Sequence, residues 1–173
     1  MDPNVLHNIS YGMYVVSSFK EGRLNGQIAN SVIQITSEPI TIAISINKIN
    51  LTHEFIKASS LFTVSILDEK TPLPFIGKFG FRSGKAVDKF KDTKYERLDS
   101  GCPAVTENSI CYLEAKLIKE FDCITHTLFF GQMTVSKMLM QGKPMTYEYY
   151  HQVKRGTTPA TAPTYIKGED NNK

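Results

Sequence analysis

Tryptophan is absent from the 173-residue chain, and cysteine occurs only as Cys102, Cys111 and Cys123. An odd number of cysteines with no C-x-x-C pair speaks against a disulfide framework, a zinc site and a rubredoxin-type iron site; the thiols read as buried side chains. No apolar run reaches membrane-spanning length. The opening Met-Asp-Pro-Asn-Val-Leu-His-Asn-Ile-Ser has neither the basic start nor the apolar core of a signal peptide, so a cytoplasmic protein with no membrane partner is expected. Net charge is only +3, and the basic residues form no run of the kind that binds nucleic acid. A weak attraction for anionic cofactors is all this charge implies. The four histidines, His7, His53, His126 and His151, have no ligand-like spacing, and no G-x-S-x-G elbow exists, which speaks against a metalloenzyme or a hydrolase. Gly77, Gly80 and Gly84 match neither G-x-G-x-x-G nor the Walker pattern, because Ala86 follows Gly84-Lys85 where Ser or Thr is needed.

What is present is an ordinary globular composition, 41% hydrophobic and 21% charged, enough for one domain with a proper core. That domain is expected over residues 1–155. Residues 156–173, rich in Thr, Pro, Ala and polar side chains, are expected as an extended tail.

The chain is organised around residues 25–53. Ile42, Ile44 and Ile46 alternate with Ala43, Ser45 and Asn47, so a strand here buries three large side chains and turns short polar groups the other way. Ala29, Asn30 and Ser31 repeat the small-residue theme on the preceding run, residues 27–35. Long charged side chains normally face water; short ones let something flat approach the backbone. Asn50-Leu51-Thr52-His53 then opens a short helix, with Asn50 or Thr52 as cap and Phe55 and Ala58 facing the core. Its N-terminus favours an anion.

Elsewhere, residues 11–19 read as a strand, and Glu-Gly-Arg-Leu-Asn-Gly at 21–26 as a turn. Residues 62–67 form another strand. Pro72 and Pro74 open a short helix and a basic, glycine-containing loop. Residues 91–108 read as irregular apart from one short strand. Residues 111–117 form a half-buried strand, with Leu113, Ala115 and Leu117 opposed to Tyr112, Glu114 and Lys116, and residues 125–135 form the next. Several short antiparallel strands with two small helices indicate a barrel or sandwich. The pattern alone leaves His126 open between a structural histidine and one that meets a ligand on the small-residue face. It likewise leaves Lys85 and Lys89 open between solvated charge and an anion site.

Six stretches together carry a resemblance: Tyr-Gly-Met-Tyr-Val-Val-Ser-Ser, Asn-Gly-Gln-Ile-Ala-Asn-Ser, Ser-Ile-Asn-Lys-Ile-Asn-Leu-Thr-His-Glu, Ile-Gly-Lys-Phe-Gly-Phe-Arg-Ser-Gly-Lys, Thr-His-Thr-Leu-Phe-Phe-Gly and Tyr-Tyr-His-Gln-Val-Lys-Arg-Gly-Thr-Thr-Pro. The chain resembles the flavin reductase-like family of FMN-binding split barrels, and within it flavoredoxins and the flavin domain of high-molecular-weight rubredoxin. The resemblance implies a mainly β, six-stranded antiparallel Greek-key split barrel, a homodimer, bound FMN and NADH or NADPH as electron donor. The implied function is a flavin reductase passing electrons to rubredoxin, free flavin or ferric iron; the alternative is an electron-transfer flavoprotein that never meets nicotinamide. Matched by motif, Asn25, Ala29, Asn30 and Ser31 would lie by the flavin ring, and Ser45, Asn47 and Lys48 would line its other approach. Thr52 and Lys89, with Ser83, Gly84 and Lys85, would hold the ribityl phosphate. His126 would stand close to flavin and nicotinamide. In high-molecular-weight rubredoxins a rubredoxin domain follows Thr-Ala-Pro-Thr-Tyr; here the sequence continues as Ile-Lys-Gly-Glu-Asp-Asn-Asn-Lys, so an iron-sulfur partner would be a separate protein.

Overall fold

A computed structural model describes residues 3–165, so the last part of the expected tail, residues 166–173, lies outside the described residues. A 3-10 turn at Pro3–Asn8 precedes β1 (Tyr14–Lys20), β2 (Arg23–Ala29), β3 (Val32–Ser37) and β4 (Ile40–Asn47). Helix α1 (Leu51–Ser59), β5 (Leu61–Leu67) and α2 (Leu73–Gly80) follow. Two short strands, β6 (Tyr95–Arg97) and β7 (Pro103–Val105), lead to the long β8 (Ser109–Cys123) and β9 (His126–Met138), and α3 (Tyr147–Gln152) comes last.

The main sheet is antiparallel, in the order β2-β1-β5-β8-β9-β4-β3. Its two outermost strands are one run of chain: β2 pairs with β1, and β3, just past Asn30-Ser31, pairs with β4. The sheet therefore closes through the backbone at Asn30-Ser31. Counted as one bent stave, β2 and β3 reconcile the seven assigned strands with the six expected. β6 and β7 pair only with each other.

Alternation sets the interior. Ile42, Ile44 and Ile46 pack with Val16, Phe62 and Phe129 inside the barrel, each such side chain contributing about 1.5–3 kcal/mol relative to exposure. Val15, next to Val16 and so on the opposite face, joins Phe75, Ile76 and Phe79 of α2 in a second cluster outside the barrel wall. Strand β1 is thus buried on both sides, which is why it reads as a continuous Val-Val run. Among the described residues no helix is long and apolar enough to cross a membrane.

Several local expectations change. The β1–β2 hairpin turns at Glu21-Gly22 alone, both with positive φ (50° and 78°), so Arg23 to Gly26 are strand and not turn. Such φ values suit a two-residue hairpin turn. In α1 the buried residues are Thr52, Phe55 and Ile56, whereas Ala58 faces solvent. Residues 91–108 contain two short strands; this ribbon covers one face of β8, so Tyr112 and Glu114 are buried despite lying opposite the apolar positions. The β8–β9 hairpin projects, leaving Cys123 exposed; Cys102 is buried and Cys111 half-buried.

Candidate functional site

A cleft of about 280 Å³ opens beside the bent stave. Asn25, Gln27 and Ala29, alternate residues of β2, line it together with Asn30. Ser45 and Asn47 extend this lining from β4, so the short-residue faces meet in one place. The N-terminus of α1 closes one end with Asn50, Leu51 and Thr52, and the loop after α2 adds Arg82, Ser83 and Gly84.

Packing fixes that end. Asn25 Nδ2 donates to Thr52 Oγ1 at 2.8 Å, and both side chains are buried. Gly84 lies so close that an added Cβ would stand 2.0 Å from Asn25 Oδ1; only glycine permits this approach. Asn50 occupies the N-cap of α1, yet its side chain takes no cap hydrogen bond; the His53 N–H turns back to the Asn50 carbonyl at 3.0 Å.

Lys89 supplies a buried charge to the cleft, which the exposed Arg82 also lines. It is 4% exposed, and its Nζ donates to the carbonyl oxygens of Gly26 at 2.9 Å and Phe79 at 3.0 Å. Neither partner carries charge, so burial pushes the ammonium down to a pKa of about 8. Gln27 contributes a second incomplete group, a buried Oε1 with no hydrogen-bond partner among the described residues.

A strap formed by residues 157–165, with neither helix nor strand, crosses the opening. Asn30 Nδ2 donates to Thr164 Oγ1 at 2.7 Å, and the Tyr147 hydroxyl bonds Thr158 Oγ1 at 2.5 Å and Thr164 Oγ1 at 2.9 Å. Beyond the strap lies a second cleft, of about 410 Å³, where Ser45 and Asn47 meet Cys123, Thr125 and His126. His126 Nε2 lies 3.2 Å from the carbonyl oxygen of Thr161, and its Nδ1 lies 2.9 Å from Thr125 Oγ1.

Of the residues singled out from sequence, Asn25, Ala29, Asn30, Ser45, Asn47, Thr52, Ser83, Gly84 and Lys89 line the main cleft, and His126 the second. Ser31, Lys48 and Lys85 line neither. Ser31 Oγ donates to Asn30 Oδ1 at 3.1 Å, Lys48 pairs with Asp122 at 2.6 Å on the projecting hairpin, and Lys85 is exposed. Sequence reasoning missed Gln27, the aromatic wall of Phe79, Tyr147 and Tyr150, and the strap. Gln27 was legible from its place between Asn25 and Ala29 at period two; the strap carried no local signal.

Fold and cleft together define a flavin-handling split barrel. The chain belongs to the flavin reductase family, with residues 6–158 matching the flavin reductase like domain. It is 51% identical over 173 residues to the high molecular weight rubredoxin of Moorella thermoacetica, covering 100% of this chain and 76% of that protein. With the ferric-chelate reductase (NAD(P)H) of Archaeoglobus fulgidus it shares 44% identity over 169 residues, 98% of this chain and 100% of that one. The structure of flavoredoxin from Methanosarcina acetivorans superposes with a TM-score of 0.70 at 20% identity, over 78% of this chain and 74% of that one.

Proposed function

We propose that the protein is an FMN-dependent NAD(P)H oxidoreductase of the cytoplasm that passes electrons to a separate acceptor such as rubredoxin, free flavin or ferric iron. The observation that carries this reading is Lys89: a buried ammonium with two carbonyl partners, at the end of a cleft that α1 and the Ser83-Gly84 loop also enclose. One dianionic phosphate answers that end. The unpartnered Gln27 Oε1 and the short side chains of β2 and β4 answer a flat ring with amide-like edges.

Bound FMN supplies hydride acceptance from a reduced pyridine nucleotide and onward delivery of electrons. The chain's own residues bind and orient. Lys89, Thr52, Ser83 and Gly84 hold the phosphate, in preference to the exposed Lys85. Asn25, Gln27, Ala29 and Asn30 sit along one side of the ring site, with Ser31 behind Asn30, while Ser45 and Asn47 direct dipoles toward its other approach. Lys48 serves the hairpin and not the ring. His126 positions the second substrate in the adjoining cleft.

The relatives' names support the donor and acceptor classes: a ferric-chelate reductase (NAD(P)H) and a rubredoxin-containing protein. A homodimer belongs to this reading, since Ile33 on β3 and Phe121 and Ile124 on the hairpin are 61%, 62% and 88% exposed, apolar surface of the kind a second copy covers. The strap's contact with His126 favours a second reading, an electron-transfer flavoprotein fed only by protein partners.

Purification of the native protein followed by chromatography of the released cofactor, and anaerobic mixing with NADH and NADPH, tests the proposal. FMN and nucleotide-driven bleaching are expected. Released FAD overturns the cofactor assignment, and a flavin that neither nucleotide bleaches leaves the electron carrier as the surviving reading.

A further inference from the structure

Asn47 and His126 are register partners across β4 and β9, so their side chains emerge on one face. Both aim at a single atom. Asn47 Nδ2 donates to the carbonyl oxygen of Thr161 at 3.3 Å, and His126 Nε2 approaches the same oxygen at 3.2 Å. A carbonyl only accepts, so His126 Nε2 carries a hydrogen, and in the neutral ring Nδ1 accepts from the Thr125 hydroxyl. Asn47 Oδ1 is engaged by the Ile49 N–H at 3.2 Å, which orients the amide with its NH2 outward.

Two side-chain donors converging on one sp2 oxygen form a seat for a carboxamide. The strap fills it with its own peptide. Ser45, Asn47, Ala160, Ala162 and Pro163 line both clefts, so residues 157–165 divide what is otherwise one continuous groove. We propose that the Thr161 carbonyl occupies the seat of a substrate carboxamide, making the strap a built-in competitor for a planar pyridine carboxamide carried on a dinucleotide. This rests on the reductase reading above and adds the recognition pair and the means of restraint.

The strap suits displacement. Among the described residues it joins no ladder, and its internal bonds include the turns Ala162 N–H to Pro159 O at 2.9 Å and Tyr165 N–H to Ala162 O at 3.1 Å. The Thr158 and Thr164 hydroxyls anchor it to Tyr147, His151 and Asn30, and the Thr157 carbonyl accepts from the Tyr150 hydroxyl at 3.0 Å. When the competent state is only a fraction of the whole, apparent affinity falls by that fraction.

The test uses the full flavin-loaded chain, its Thr158→Val/Thr164→Val variant, and oxidised NAD and NADP, which bind without turnover. Loss of the anchoring hydroxyls is expected to tighten nucleotide binding about fivefold or more. In the unaltered chain, saturating nucleotide is expected to accelerate hydrogen exchange at the Ala162 and Tyr165 amides. Equal affinities, exchange that stays constant or slows while nucleotide is bound, or no binding to either chain overturns the inference. If nucleotide displaces the strap yet NADH and NADPH bleach neither chain, the reductase reading fails and the seat stands. Rapid bleaching with the strap amides still protected overturns the seat and leaves the reductase reading in place.

Discussion

Asn25 and Thr52, 27 residues apart, meet through a buried hydrogen bond of 2.8 Å that ties β2 to the first turn of α1 at the closed end of the cleft. Removing either partner leaves a buried polar atom unsatisfied. Asn25→Ala is expected to cost about 1–3 kcal/mol in urea unfolding, and a cycle with Thr52→Val is expected to show coupling above about 0.5 kcal/mol. Additive losses would show that the bond links nothing.

Gly84→Ala tests the same corner from the loop side. The new methyl would lie within 2.0 Å of Asn25 Oδ1 and 3.1 Å of Leu51 Cδ2, so the loop must retreat. Weakened flavin retention with a thermal midpoint close to that of the unaltered protein is the expected outcome, read by ultrafiltration and by melting. Unchanged retention would place the phosphate elsewhere.

The proposed phosphate site at Lys89 ties flavin affinity to pH. The lysine's folded-state pKa of about 8 lies below the ordinary 10.5 because it is buried, whereas a bound phosphate requires the charged form. Flavin affinity is therefore expected to fall by up to tenfold for each pH unit above about 8. Lys89→Gln should weaken binding by about 10- to 100-fold below that pH and flatten the dependence; Lys85→Gln should do neither. In the flavin-free protein the unfolded chain holds more protons between about 8 and 10.5, so stability is expected to rise with pH in that window.

His53 works at the acid end. Burial, with a smaller effect of Lys57, holds its pKa below the usual 6.5, and its ring packs on Phe129 while Nε2 meets Thr127 Oγ1 at 2.8 Å. The folded state favours the neutral ring, so its contribution is present above about 6.5 and is lost as pH falls through the lowered folded value. His53→Gln should show a smaller loss of stability than the unaltered protein between about pH 7 and pH 5, measured by denaturant midpoints at each pH.

Period two carried most of what could be read in advance. Ile42, Ile44 and Ile46 against Ser45 and Asn47 located both the core and one wall of the cleft, because core burial and cleft lining obey the same alternation. Asn25-Gly26 misled, since that dipeptide is a strong turn signal. Here Gly26 is small for a tertiary reason: an added Cβ would come within 2.7 Å of Ser17 Oγ and 3.3 Å of Phe79 Cε1. The strap escaped notice because Thr, Pro and Ala composition reports only weak local preference. Its hydroxyls find partners at Asn30 and Tyr147, contacts no local pattern encodes. Lys85 and Lys89 were indistinguishable by type, and only burial separates them.

The closure of the barrel through a bent stave also has a kinetic side. The hairpins β1–β2, β3–β4 and β8–β9 form from near neighbours, but the β4–β9 ladder unites Asn47 with His126 and Thr41 with Gln132, positions 79 and 91 residues apart by subtraction. These are the longest-range pairings of the main sheet's ladders, so they carry its largest loop-closure entropy and are expected to form last among them. Ser45, Asn47 and His126 all ride on this ladder, so the complete cleft comes into being only after residue 132 has found its partner. A chain whose β4–β9 ladder has not yet formed is expected to lack the Ser45, Asn47 and His126 wall of the groove. Loading follows folding, and free flavin in excess should raise the final yield without hastening the slowest refolding step.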